Sequence, residues 1–248
     1  MQKLRKIISA ALTVAMLLCF LASCGIGSGQ DPQQIVKDAD AALKEGPYSM
    51  DILVKYTSES EEMTAAIQSF STPHIKVIVD GESFKATLET QKDLDIYYID
   101  YTFVDGTLYS EWYDGRETVK EAKSIGMTEK AELLASFGSG SDIGIDDFEE
   151  VVAIKEKKVS IITCTGIKAD TLDSLIVVLE EQFKSVMDAD VAIKDASLVI
   201  ELEDGQYKST ALSCLYYITT ADGSYAITMN YTTSYTYGEV AAITAPAA

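Results

Sequence analysis

One histidine, four cysteines, four prolines and one tryptophan are all that 248 residues contain of those types, and positive charge is scarce. Each shortage excludes a chemistry. A lone His74 rules out an HExxH zinc site, which needs two histidines. With neither a CxxC pair nor a cysteine–histidine cluster, a structural zinc site is excluded as well. The chain has no GxSxG elbow and no SxxK, the usual frames for a serine nucleophile. Gly138, Gly140 and Gly144 miss the GxGxxG spacing by one residue, and no GK[ST] occurs. Twenty basic residues against 39 acidic ones give a net charge of −19, which repels phosphates and excludes a nucleic-acid partner.

Acids are what the chain has in excess, and they select no reaction. Asp142, Asp146, Asp147, Glu149 and Glu150 form the densest cluster. Gly144 falls two positions after Asp142, so the calcium-loop pattern of alternating ligands around a central glycine fails. A solvated acidic loop is the expectation. His74, after Pro73, reads as a surface or turn residue. No cofactor, metal or enzymatic activity is implied.

An uncharged, mostly apolar run from Ile7 to Phe20 follows Lys3, Arg5 and Lys6 and precedes Leu21-Ala22-Ser23-Cys24. Its 14 residues fall short of the roughly 18 that a bilayer span needs. Basic end, short apolar segment and small residues are the layout of a secretory signal. Leu21-Ala22-Ser23-Cys24 resembles a bacterial lipobox, which implies cleavage before Cys24 and acylation of its sulfur. The expected organisation is a lipoprotein signal peptide over 1–23, a flexible tether over 24–30 and one domain over 31–248. The membrane is then a partner through Cys24, and the location is the extracytoplasmic face of the cell membrane. Losing residues 1–23 removes three basic residues and no acid, leaving 17 against 39, a net charge of −22. Cys164 and Cys214 remain, as a disulfide or as two buried thiols.

Within the domain, Asp31-Pro32-Gln33-Gln34 opens a helix, with Asp31 as cap and Gln34 placed for a capping box. Ile35, Val36, Ala39, Ala42 and Leu43 keep helical spacing until Gly46-Pro47. The period then becomes two, with Met50, Ile52, Val54 and Tyr56 opposite Asp51 and Lys55. Five Asp-Gly pairs, at 80–81, 105–106, 114–115, 204–205 and 222–223, predict hairpin turns of type I′. They divide the chain into two antiparallel meanders. Helices are expected from Thr128 to Phe137 and, capped by Asp170, along the stripe Leu172, Leu175, Ile176, Leu179, Phe183, Val186 and Met187. Residues 59–70 fit a helix or a strand.

The lipobox, the Asp-Pro helix before Tyr48-Ser49-Met50, two meanders divided by a long helix, and the closing Tyr237-Gly238-Glu239-Val240 resemble the Gram-positive lipoproteins related to the LolA, LolB and LppX group. That resemblance implies an α+β fold, a strongly curved antiparallel half-barrel with helices packed on its concave face, and a cavity between sheet and helices that holds acyl chains. Tyr97, Tyr101, Leu175, Leu179, Phe183, Tyr225, Met229 and Tyr231 are the candidate lining, because tyrosine pairs an apolar body with a polar tip and methionine adapts to irregular shapes. The expected function is binding or carrying a lipid or other apolar ligand. The alternative is a non-enzymatic envelope scaffold or sensor that binds another protein.

Overall fold

The computed structural model describes residues 31–68, 74–92, 95–113, 116–139, 143–172 and 190–246. Eleven strands form one antiparallel sheet: β1 (Tyr48–Ser58), β2 (His74–Asp80), β3 (Ser83–Lys92), β4 (Asp95–Val104), β5 (Thr107–Tyr113), β6 (Thr118–Ser124), β7 (Phe148–Glu156), β8 (Val159–Ile167), β9 (Asp190–Glu203), β10 (Gln206–Thr220) and β11 (Gly223–Tyr237). The order across the sheet is β6-β5-β4-β3-β2-β1-β11-β10-β9-β8-β7. Each meander pairs only with itself until β1 and β11 zip together over the whole length of β1, Tyr48 facing Tyr237 and Ser58 facing Ile227. Among the described residues, helices α1 (Pro32–Leu43), α2 (Glu61–Gln68) and α3 (Met127–Ser139) accompany it.

This corrects the fold class. Among the described residues strands account for 61% and helices for 20%, so the chain is a predominantly β structure rather than an α+β half-barrel with helices filling its hollow. The sheet is open, with β6 and β7 as its edges. The physical reason lies in the tight turns. Two-residue loops spend almost no chain on connections, so the strands run to 14 or 15 residues in β9, β10 and β11. Both edges are charged, with Lys120, Glu121 and Lys123 on β6 and Glu149, Glu150 and Lys155 on β7, which discourages strand addition.

Period two puts one apolar face under the helices. A single register line joins Leu88, Ile75, Ile52, Thr233, Thr210, Ile200, Ile162 and Ala153 across eight strands. Slipping any strand by one residue would turn its apolar set to water, so the register is strongly specified. Two bulges between β9 and β10 keep the phase. One, at Tyr207/Ser209, returns Tyr207 to the inner face, and the other, at Leu215/Tyr216, sets Ile193 and Val191 opposite Tyr216 and Ile218.

The turns are more varied than five Asp-Gly pairs suggest. Asp105-Gly106 and Asp204-Gly205 occupy the two loop positions with both φ positive, as type I′ requires. In the first hairpin the loop residues are Gly81 and Glu82, and in the last they are Ala221 and Asp222. The pair at 114–115 lies outside the described residues. A further hairpin turns at Lys157-Lys158, where Lys157 holds φ 55° without being glycine.

Helix α1 starts where expected: the Asp31 carboxylate accepts from Gln33 N at 3.1 Å. Gln34 forms no capping box and instead donates to Asp38 Oδ1, one turn along, at 2.7 Å. Helix α3 places Phe137 against Phe84 (6.1 Å between rings) and Tyr101 (5.6 Å). Residues 59–70 resolve as helix over 61–68. The helical turn after β8 opens at Lys168, whose carbonyl accepts from Leu172 N at 3.0 Å, so Asp170 sits inside the first turn rather than capping it. Cys164 and Cys214 are buried free thiols.

Candidate functional site

Among the described residues, one geometry that could hold a ligand is a cleft between α2 and the β10–β11 turn. Its volume is about 510 Å³, and Ser60, Glu62, Met63 and Ala66 form one wall while Thr220, Ala221, Asp222 and Tyr225 form the other. Ligand sites generally measure about 300–1,000 Å³, with an apolar lining and a few polar groups. Here the apolar share comes from Met63, Ala66, Ala221 and the Tyr225 ring.

Both walls are fixed by local chemistry. Ser60 caps α2: its Oγ accepts from Met63 N at 3.2 Å and its carbonyl from Thr64 N at 3.0 Å. Glu61 and Glu62 stand in the first turn, where the helix dipole favours negative charge. Thr64 Oγ1 accepts from Ser58 N at 2.9 Å and donates to Ser60 O at 3.0 Å, locking the bend from β1 into α2. Ile67 anchors the helix, being 1% exposed in the core. Opposite, Thr220 Oγ1 accepts from Asp222 N at 3.2 Å, and Thr219 donates to Ser224 at 3.1 Å. The cleft is therefore bordered by two small hydrogen-bonded motifs.

Of the candidates from sequence that lie among the described residues, only Tyr225 lines this cleft. Tyr231 is buried and donates its hydroxyl to the Phe137 carbonyl at 2.8 Å, and Tyr101 packs its ring on the same Phe137, so these two meet α3. Met229 is half-buried between Tyr56 and Cys214 in register. Tyr97 stacks on Tyr113 with ring centres 5.9 Å apart. Cys24, Leu175, Leu179 and Phe183 lie outside the described residues. Met63, Ala66 and residues 220–222 were not among the site candidates from sequence, although a turn was expected at 222–223. The signal for α2 was present, since Ser60-Glu61-Glu62 is a cap followed by first-turn acids.

A second polar-tipped cluster sits at the other end of the sheet. Tyr207 donates to Asp40 Oδ1 of α1 at 2.7 Å and stacks on Tyr235 at 5.2 Å. Burial first, then the Asp40 carboxylate, pushes the Tyr207 phenol well above its ordinary range, and burial pushes Tyr235 up to about 12. This cluster ties α1 to the sheet. His74 lies on the outer face, its Nε2 2.9 Å from Asp51 Oδ1 and its Nδ1 3.7 Å from Glu89. Among the described residues no group of three or more His, Cys, Asp or Glu is placed to hold a metal ion. Among them also, no helix is long and apolar enough to cross a membrane.

No family model matches the chain, and no curated protein matches it. Among solved structures it is similar to the ywiB protein from Bacillus subtilis, with 8% identity over 78% of this chain and 93% of that chain and a TM-score of 0.19. Neither finding places the chain in the LolA, LolB and LppX group.

Proposed function

We propose that the chain is a lipid-anchored protein of the extracytoplasmic membrane face, related to the LolA, LolB and LppX lipoproteins, which binds a lipid or another apolar molecule and catalyses no reaction. The observation that carries the ligand is the cleft of about 510 Å³ walled by Met63, Ala66, Ala221 and Tyr225. Its position supports the same reading. Gln33, near the start of α1, bonds to Asp146 just ahead of β7, whereas Asp40 reaches Tyr207 at the opposite end of the strands. Helix α1 thus begins at the sheet end that also holds the β10–β11 turn. A tether over residues 24–30 reaches at most about 25 Å, so this end is held nearer the bilayer than the other. A ligand leaving the membrane would meet the cleft first.

Native mass spectrometry of the chain released from its own membranes tests the proposal. A recurrent added mass in the range of a lipid is expected. A clean mass of protein plus anchor alone, across several preparations, would contradict ligand binding.

A further inference from the structure

Among the described residues that line it, the cleft carries charge of one sign. Glu62 and Asp222 stand on opposite walls, both exposed, and none of the eight lining residues is basic. Neither carboxylate has a salt-bridge partner among the ion pairs of the described residues, where Lys120, Lys123, Lys158 and Lys208 bind other acids. The same cleft is lined by Met63, Ala66, Ala221 and the half-buried Tyr225. A lining that combines apolar side chains and a tyrosine ring with a carboxylate on each wall is complementary to an ammonium group on an apolar chain. The carboxylates neutralise the cation and the aromatic ring adds its own attraction for it. A carboxylate or phosphate head group would instead meet two like charges with no cation to receive it. The surplus of 22 acidic charges on the mature chain extends the preference, raising the local concentration of cations at every face.

Resting on the reading of the cleft as an apolar ligand site, we infer that its ligands are cationic amphiphiles, molecules with an amine head group and an apolar tail, and that Glu62 and Asp222 select the head. The tail lies against Met63 and Ala66, and the head sits between the two carboxylates.

Membranes carrying the intact lipidated chain can be irradiated with three photoreactive amphiphiles of equal chain length, ending in an ammonium, a carboxylate or a hydroxyl. Peptides spanning 60–66 and 220–225 are then quantified for label. The ammonium probe should label them about tenfold more than the carboxylate probe, from two exposed charge contacts. The double variant Glu62→Gln, Asp222→Asn should bring that ratio to about one while hydroxyl labelling is kept, and added salt should shrink the ratio in the wild type. Equal labelling by all three probes in the wild type would overturn the selection by charge and leave the apolar site standing. Absence of label from all three would overturn both.

Discussion

At the scale of single residues, the phenols and thiols under the helices set how the protein responds to base. Burial pushes Cys164 and Cys214 up to about 11 from 9.0, and Tyr235 up to about 12 from 10.0, while Tyr207, Tyr216 and Tyr231 move in the same direction. A neutral acid with a raised native pKa keeps its proton longer folded than unfolded. It therefore stabilises the fold below the unfolded value and loses that contribution as pH climbs towards the native one. Stability should hold to about pH 9 and then fall steadily to about pH 12, which urea midpoints taken across that range would read out; an unchanged midpoint at about pH 11 would be inconsistent with it. Tyr207→Phe removes the hydrogen bond to Asp40 and should cost about 1 kcal/mol in the same assay. At this scale the sequence was partly readable. Aromatic residues at alternating positions announced a packed face, but which tyrosine meets a helix and which lines a cleft depends on partners more than 90 residues away, as Tyr231 and Phe137 show.

Elements were more legible, and their errors have physical causes. Asp31 capping α1, the strand from Met50 and the turn at Asp204-Gly205 follow from local rules and stand in the structure. The strand β9 shows how a strand start escapes the alternation rule. Its first half keeps Val191 and Ile193 on the inner face at odd positions, while Ala196, Leu198 and Ile200 use even ones, and the phase break is the bulge. An alternation that changes parity looks like the end of a strand unless a bulge is allowed for. The turn at Lys157-Lys158 lacks glycine and was invisible to a search for Asp-Gly. Its left-handed lysine is strained, so Lys157→Gly should raise stability by up to about 1 kcal/mol in urea unfolding. Phe84→Ala, in contrast, empties a wholly buried site between Phe103 and Phe137 and should cost about 3 kcal/mol or more, with α3 losing its seat.

For the whole molecule, the division into two meanders was legible, but their joining was not. No local pattern says that β1 pairs with β11, Tyr48 with Tyr237 and Ser58 with Ile227, and this one pairing makes a single sheet of eleven strands. The share of strand was underestimated because long strands between tight turns accumulate quietly. At this scale the proposed function joins a lipid anchor at Cys24 to a cleft. Cys24→Ala should abolish incorporation of radioactive palmitate, and labelling equal to wild type would remove the anchor. The cleft is tested most directly by filling it. Ala66→Trp places an indole between α2 and the β10–β11 turn. Lipid retained per mole of folded protein, extracted and quantified from membranes of both forms, should fall to background in the variant while the urea midpoint stays near wild type. Equal lipid retention by the variant and the wild type would contradict the cleft as the binding site.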